Sequence, residues 1–319
     1  SASRDRLLIA VGGNAIHPEG IRGTSEEQML IAAETAEHLL PLLVQNNELV
    51  ITHGNGPGVG KTMMRQVLAR HRVAPMSLDI CVANTQGVTA YILTQAFENA
   101  LRRVGNPRHA VGLVTQVEVD AADPAFTSPS KPVGYFYTES EASDLVTEFG
   151  WEMKEDAGRG WRQVVASPEP RHVCDISLID ALARRGTIVI AGGGGGVPVV
   201  RDNLGVRRGI EGVIDKDLTS AHMAWVLGIP QLVILTGVSG VSINFGRDNE
   251  EKIGRIGVTA LRALQDGGHF PAGSMGPKVE AALRFVENGG LRAIITGLEE
   301  AVPALAGETG THVVPDEAL

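Results

Sequence analysis

The amino-terminal part of the chain contains an apolar run that ends in glycines, Leu7-Leu8-Ile9-Ala10-Val11-Gly12-Gly13-Asn14. The run is continuously apolar rather than alternating, and this pattern is typical of a strand covered on both faces, as in a parallel sheet. Glycines after such a strand leave backbone amides accessible to an anion, and a helix start beyond them would add its dipole. A tight turn that needs positive φ angles would use the same residues. Both interpretations stay open at this point.

Further along the chain, other apolar runs end in the same way. They are residues 49–52 before His53-Gly54-Asn55-Gly56-Pro57, 188–191 before Gly192 to Gly196, 232–235 before Thr236-Gly237, and 293–295 before Thr296-Gly297. Helical patterns lie between them, and one predicted helical stripe consists of Ala33, Ala36, Leu40 and Leu43. Such alternation implies an α/β fold with parallel strands, which bind ligands at their carboxyl ends.

One stretch, residues 117–167, lacks this alternation because it is polar and contains several prolines. We interpret it as a protruding subdomain or lid inserted into a single domain that spans residues 1–319. Residues 1–116 then form one half of the sheet, and residues 168–319 form the other half.

The composition excludes several classes of protein. A formal net charge of −9 argues against a general binder of nucleic acid or anionic membranes, because both partners attract basic surfaces. The cysteines, Cys81 and Cys174, are far apart and suit a reducing compartment. The sequence has no apolar run of about 20 residues that would predict a membrane span. We therefore expect a cytoplasmic protein.

A partial match to a known nucleotide motif lies in residues 54–62. Gly60-Lys61-Thr62 resembles the end of a P-loop, but Asn55 stands where that motif needs its first glycine. The dinucleotide-binding pattern fails as well, because Val59 occupies the third glycine position. We reject both motifs and predict that Lys61 is a solvated lysine on the first turns of a helix.

Three lysines have unusual neighbours in the sequence. Lys131 lies in a proline-stiffened part of the insert, Lys216 has an aspartate on either side, and Lys278 follows a proline before a helical pattern. Phosphoryl transfer depends on positioning and on neutralising the charge of the phosphoryl oxygens, which lysines can do. Taken singly, each of them is by default a solvated surface lysine, and the spacing alone does not indicate otherwise.

Several motifs follow one another along the chain, namely Val11-Gly12-Gly13-Asn14-Ala15, His53-Gly54-Asn55-Gly56-Pro57, Lys131-Pro132-Val133-Gly134, residues 154–162 (KEDAGRGWR), Ile214-Asp215-Lys216-Asp217 and Ser274-Met275-Gly276-Pro277-Lys278. Taken together and in this order, they resemble the motifs of carbamate kinases, which belong to the amino-acid kinase superfamily. The resemblance extends from Leu7 to about Val314, and its most specific part is the segment 154–162.

This resemblance implies a three-layer sandwich around a mainly parallel sheet of about eight strands, with a protruding subdomain, in a homodimer. It implies a reversible reaction in which ATP and carbamate give ADP and carbamoyl phosphate, run toward ATP in arginine catabolism. Residues 1–116 would bind the acceptor, and residues 168–319 would bind the nucleotide. The partners would be these small molecules, with no nucleic acid and no membrane.

The resemblance also implies the site residues. Carbamate and the transferred phosphoryl group would lie against Gly12, Gly13, Asn14, Gly54, Asn55 and Gly56. The catalytic residues would be Lys131, Lys216 and Lys278, with Asp215 orienting the lysines. The nucleotide would contact Lys216, Val238, Phe245, Met275 and Lys278. A Mg²⁺ ion would be held mainly by the nucleotide phosphates rather than by protein ligands.

Some positions depart from the family pattern. Ser239 stands where an aspartate is common, Gly58 replaces a glutamine, Asn84 a methionine and Tyr135 a proline. These changes keep two alternatives open, namely a kinase of another small carboxylate and a nucleotide-binding regulator without turnover. Carbamate is already an anion and needs no general base, so we interpret His53 as a structural hydrogen-bonding residue.

Overall fold

The computed structural model describes residues 4–18, 20–55, 57–156 and 158–319. The strands are β1 (Arg6–Val11), β2 (Glu48–His53), β3 (Ala110–Gly112), β4 (Gln116–Glu118), β5 (Lys131–Tyr137), β6 (Met153–Glu155), β7 (Trp161–Val165), β8 (His172–Val173), β9 (Ile188–Ile190), β10 (Val197–Arg201), β11 (Arg207–Gly209), β12 (Gln231–Thr236), β13 (Val241–Ile243), β14 (Glu251–Ile253), β15 (Arg255–Gly257), β16 (Arg292–Gly297) and β17 (Thr311–Val314). The helices are α1 (Ser25–Leu43), α2 (Gly58–Ala69), α3 (Leu78–Arg103), α4 (Glu139–Phe149), α5 (Ile176–Arg184), α6 (Lys216–Val226), α7 (Val258–Asp266), α8 (Met275–Glu287) and α9 (Ala301–Leu305). No helix within these ranges is both long and apolar enough to cross a membrane.

The largest sheet in the described ranges has eight strands in the order β15-β17-β16-β12-β1-β2-β9-β3. Its neighbouring strands are parallel except for β16 and β17, which are antiparallel. The predicted glycine-terminated runs form the adjacent strands β16, β12, β1, β2 and β9. The predicted mainly parallel sheet is therefore confirmed, and the glycine turns follow its central strands.

Helices cover both faces of this sheet. Along β1, Leu8 and Ala10 pack in a core with side chains of α5, α6, α7 and α8. The alternate residues Leu7 and Ile9 pack in a second core with α1, α3 and α9. Because successive strand residues point to opposite faces, these two cores lie on opposite sides of the sheet. The three-layer architecture is confirmed.

Helix α1 shows a local error in the predicted pattern. The helix begins at Ser25 as predicted, after a capping box in which Thr24 and Glu27 exchange hydrogen bonds. Ala33, however, is exposed, and the buried residues are Ala32, Thr35, Ala36, Leu39, Leu42 and Leu43. Because Leu39 is next to Leu40, and Leu42 next to Leu43, two neighbouring stripes of the helix fit the apolar spacing. Packing against the sheet buries the stripe that contains Leu39.

Residues 131–165 form a separate unit, a three-stranded antiparallel sheet in the order β5-β7-β6 joined by α4. A small apolar cluster contains Tyr137 and Leu145 of this unit together with Val67 of α2. Strand β4, at the start of the predicted insert, instead pairs with β10 and β8 in a four-stranded sheet. We call residues 131–165 the lid unit. The division at residues 116 and 167 remains a prediction.

At the amino ends of the central strands, Arg108 joins three segments of backbone. Its guanidinium donates to the carbonyl oxygens of Leu43 (2.9 Å), Gln45 (3.0 Å), Asn47 (2.7 Å) and Gly186 (2.6 Å), and to Asn47 Oδ1 (2.8 Å). Several of these oxygens lie just at or beyond the carboxyl ends of α1 and α5, where helix carbonyls lack partners. Burial lowers the pKa of Arg108 to about 10.

Candidate active site

The turns after β1 and β2 lie against each other. The Gly54 amide donates to the Val11 carbonyl oxygen at 3.0 Å, and a Cβ atom on Gly54 would lie 3.0 Å from the Gly13 nitrogen. A side chain at position 54 would push the two turns apart by a few tenths of an ångström. A short 3₁₀ helix, Gly13–Ala15, follows β1 in place of an α-helix start, so the anticipated α-helix dipole is missing there. The predicted residue Gly56 lies outside the described residues.

The run of glycines after β9 gives room to the side chains of the β2 turn. A Cβ atom on Gly193 would collide with the His53 ring, and one on Gly194 would collide with the Asn55 amide. His53 is buried and its Nδ1 lies 3.1 Å from the Gly54 carbonyl oxygen. Burial lowers the pKa of His53 to about 4, so the imidazole is neutral at physiological pH. This neutral, enclosed ring agrees with the structural role inferred for His53 from the sequence.

A buried aspartate lies between two of the predicted lysines. Asp217, in the first turn of α6, is 4% exposed. Lys278 Nζ donates to Asp217 Oδ2 at 2.9 Å, and Lys216 Nζ lies 2.7 Å from Oδ1. The second contact is an ion pair without hydrogen-bond geometry, and the buried Lys216 ammonium donates no other hydrogen bond among the described residues. Its N–H groups are therefore available to an anionic ligand.

Asp215 makes different contacts from those assigned to it. Its Oδ1 accepts hydrogen bonds from the backbone amides of Asp217 (2.8 Å) and Leu218 (3.0 Å), so it caps α6. Asp215 was predicted to orient the lysines, whereas Asp217, which was not predicted, makes those contacts. The preference of aspartate for helix caps was the signal that could have separated the two carboxylates.

Lys131 of the lid unit joins this cluster. Burial lowers the pKa of Lys131 and of Lys216, and the charges of Asp215 and Asp217 oppose that shift in both lysines. Burial alone would raise the pKa of Asp217, but Lys216 and Lys278 hold it at about 2. The structure therefore brings the predicted lysines together around an ionised carboxylate.

Two cavities meet at this cluster. The lysine cavity, of about 640 Å³, is lined by Lys131, Lys216 and Lys278 together with Gly54 and Asn55. The glycine cavity, of about 530 Å³, is lined by the turns after β1, β12 and β16, which include Gly12, Gly13, Gly237 and Gly297. Asn14 and Lys278 line both cavities. A molecule in one cavity can therefore approach a molecule in the other at these two residues.

The predicted nucleotide contacts are distributed unevenly. Val238 and Lys278 line the glycine cavity, whereas Phe245 and Met275 are absent from the described residues that line it. Phe245 is 63% exposed on the β13–β14 hairpin, and Met275 packs against the core at the start of α8. Ser239, one of the departures from the family pattern, also lines this cavity, and its Oγ accepts a hydrogen bond from Lys252 at 3.1 Å.

The lid unit touches the rest of the protein through a pair of glycines. A Cβ atom on Gly60 would lie 2.8 Å from the Gly134 Cα atom, so α2 and β5 meet backbone to backbone. Next to this contact, Lys61 donates to the Arg22 carbonyl oxygen and bonds His17 Nε2. Lys61 lies on the first turns of α2 as predicted, but it is only partly solvated because its ammonium also bonds the chain before α1.

Arg162, from the most family-specific segment, also lines the lysine cavity. Its Nη2 donates to the Gly134 carbonyl oxygen at 3.2 Å, and its guanidinium lies 5.1 Å from the centre of the Phe136 ring. These contacts hold an arginine at the lid side of the cavity, and Arg162 was not among the predicted site residues.

Comparison with known proteins agrees with this architecture. The sequence profile of the amino acid kinase family matches residues 5–297, and the chain belongs to that family. Within the family, a carbamate kinase of Pyrococcus horikoshii is 45% identical over 98% of this chain and 99% of its own length. A carbamate kinase-like protein of Escherichia coli is 42% identical over 98% of this chain and 99% of its own length. The carbamate kinase from Giardia lamblia bound to AMP-PNP superposes with a TM-score of 0.93 at 39% identity, covering 99% of this chain and 100% of that one.

Proposed function

We propose that this protein is a carbamate kinase, which transfers a phosphoryl group reversibly between ATP and carbamate. The observation that carries the proposal is the pair of lysines on buried Asp217, at the point where the two cavities meet. Relatives named as carbamate kinases that match the chain along nearly its whole length support it. The related Giardia structure, which holds the ATP analogue AMP-PNP, supports ATP as the nucleotide.

We assign the nucleotide to the glycine cavity and carbamate to the lysine cavity. The strand-end turns of the glycine cavity, with Val238 on its wall, offer backbone groups to the phosphates and an apolar surface to the base. Gly54 and Asn55 face the acceptor on the other side. The transferred phosphoryl group would lie between them, next to Asn14 and Lys278.

In the forward reaction a carbamate oxygen attacks the γ-phosphorus of ATP. The bond from that phosphorus to the β,γ-bridging oxygen breaks, and ADP leaves with the electron pair. Carbamate is an anion, so the reaction needs no general base, which agrees with a neutral and enclosed His53. What the protein supplies is alignment of two anions and neutralisation of the moving charge.

The lysines supply that neutralisation from fixed positions. Asp217 holds the ammonium groups of Lys216 and Lys278 and favours their charged forms. Lys131 approaches from the lid unit, so a closed lid places a further positive charge on the phosphoryl group. Preorganised donors in a water-poor cavity stabilise a transition state strongly.

A Mg²⁺ ion fits this site as an ion held by the nucleotide. The described residues contain no cluster of three or more His, Cys, Asp or Glu side chains suited to a metal. Asp217 already binds two lysines and Asp215 caps α6, so neither carboxylate is free to form a protein cage. When bound, the ion would neutralise the phosphate oxygens of ATP.

We further propose a cytoplasmic homodimer that works toward ATP in arginine catabolism. Strand β3 lies at one edge of the central sheet, and the neighbouring helix α3 exposes Ile80, Val88 and Tyr91. An exposed edge strand beside an apolar helix face is a surface that a second copy can cover. Sedimentation of Tyr91→Glu tests this proposal, with the expected result that the dimer dissociates.

The decisive assay mixes the protein with ADP, Mg²⁺ and carbamoyl phosphate and follows ATP formation. We expect ATP well above the background of a Lys278→Met control. If ATP fails to form while calorimetry detects ADP binding, the protein is a nucleotide-binding regulator instead. A screen of other small carboxylates checks the acceptor, because a far higher kcat/KM for one of them would contradict carbamate.

A further inference from the structure

A third cavity, of about 270 Å³, lies between α1, α2 and α3. We call it the annex. His17, Gly54, Asn55 and Lys61 line both the annex and the lysine cavity. The two spaces are therefore neighbours on either side of the Gly54–Asn55 turn, and the annex belongs to none of the steps of phosphoryl transfer described above.

The charged groups of the annex are positive. Lys61 and Arg65 lie one turn apart on α2, and no aspartate or glutamate is among the described residues that line the annex. Two like charges at this spacing repel each other, and burial and the charge of Arg65 both lower the pKa of Lys61. In the described part of the chain, neither cation forms an ion pair with a carboxylate. The Glu27 charge acts on Lys61, but that carboxylate caps α1 through the Thr24 amide.

The remaining walls of the annex are small or polar. A Cβ atom on Gly58 would lie 3.1 Å from Thr85 Cγ2, so the missing side chain keeps space open at the start of α2. Asn84, Thr89 and Gln28 offer hydrogen-bonding side chains around the same space. A cavity with two cations, neutral polar walls and no lining acid has the chemistry that binds a small oxyanion.

We propose that the annex is a binding site for a small oxyanion, such as a carboxylate, carbonate or phosphate. The Arg65 guanidinium is the main contact, because its planar donors match two oxygens at once, and the Lys61 ammonium is the second. The annex would hold this anion next to the turn that faces the acceptor in the lysine cavity. The anion relieves the repulsion between the two cations, of which Lys61 is partly buried and Arg65 is exposed.

Crystals soaked in selenate test the position of the anion by anomalous diffraction at the selenium edge. We expect a peak beside Arg65 and Lys61 in addition to any peak at Lys216 and Lys278. The annex peak should vanish in Arg65→Gln and return in Arg65→Lys. Arg72→Gln is the matched control, because it removes an equal charge from an exposed residue just beyond α2. No annex peak in the unmodified protein, or an undiminished peak in Arg65→Gln, would overturn the proposal.

Calorimetric titration with inorganic phosphate tests the same site in solution. In a Lys278→Met background, which weakens binding at the lysine cavity, Arg65→Gln should lower the remaining association constant about 10-fold, as expected for loss of a charge-assisted hydrogen bond. Equal association constants with and without the Arg65→Gln change would contradict the annex site. Neither measurement depends on ATP formation, so failure of this proposal and failure of the proposed kinase activity are distinguishable.

Discussion

The two ends of the central sheet each shield a cation from water, Arg108 in part and the Lys216 ammonium fully, but the contacts of the two cations differ. At the amino ends, Arg108 donates to backbone and side-chain oxygens of Leu43, Gln45, Asn47 and Gly186. At the carboxyl ends, the ammonium of Lys216 is buried without a hydrogen-bond acceptor among the described residues. Burial lowers the pKa of both groups. The first cation donates all its hydrogen bonds to the protein and stabilises the fold, whereas the second has only an ionic contact with Asp217 and keeps N–H groups that an anionic substrate is proposed to accept from.

The largest expected effect comes from removing the unsatisfied cation. Lys216→Met should lower kcat/KM about 10³-fold, since a preorganised charged donor is lost. Its melting temperature should change little, because Asp217 keeps its hydrogen bond from Lys278 and the cost of burying the Lys216 ammonium is removed with the lysine. Steady-state kinetics and thermal unfolding measure the two quantities. Lys154→Met, which removes an exposed lysine of the lid unit, is the control and should keep normal activity.

The satisfied cation should show the reverse behaviour. Arg108→Met leaves several carbonyl oxygens without donors and should lower the free energy of unfolding by about 3 kcal/mol. Urea denaturation measures this loss, while kcat per folded molecule should be unchanged. Arg185→Met, an exposed arginine at the same end of the sheet, should cost little. If the Arg108 variant were stable but inactive, the distinction between a cation that stabilises the fold and a cation that acts in catalysis would be wrong.

Lys131 extends the comparison to the lid unit. Lys131→Ala should lower kcat about 10²-fold, in line with the loss of one preorganised donor. Its effect on stability should be small, because removing a buried lysine also removes the cost of desolvating it. Rapid-quench measurement of the phosphoryl transfer step checks the prediction. A near-normal rate would mean that this lysine does not contact the transferred group.

The smallest expected effect is a shift in pH dependence. Burial lowers the pKa of Lys131 and Lys216, so each loses its proton at lower pH than a free lysine, and kcat/KM should fall as the pH rises toward those values. The Asp217 charge raises both pKa values, so Asp217→Asn should move this alkaline limb to lower pH. Profiles of kcat/KM measured from neutral to alkaline pH compare the two proteins. If the alkaline limb of the kcat/KM profile did not move, groups other than Lys131 and Lys216 would control it.

The central sheet was predictable because its signal is local. Five continuous apolar runs that end in glycines became five adjacent strands of the sheet. Each run carries its own periodicity and its own turn residues, so no information from distant parts of the chain is needed. The stripe of α1 was misplaced because Leu39 and Leu40 fit the same spacing, and only packing against the sheet distinguishes them.

Parts of the site could not be predicted because they depend on contacts between distant segments. Asp217 contacts Lys278, which lies in another helix, and the sequence places Asp215 and Asp217 symmetrically around Lys216. Lys61 was predicted to be solvated because nothing near it in the sequence shows that its ammonium donates to the Arg22 carbonyl oxygen. The annex likewise depends on three helices, and the chain order alone does not bring their side chains together.

The contact between Gly60 and Gly134 makes the lid unit sensitive to a single methyl group. Because α2 and β5 touch there without any side chain, alanine at position 60 would act as a wedge that holds the two apart. The Gly60→Ala substitution would displace Lys131, but every charged residue of the site would still be present. This substitution therefore separates the position of the lid unit from the proposed chemistry of the lysines, because it changes no charge.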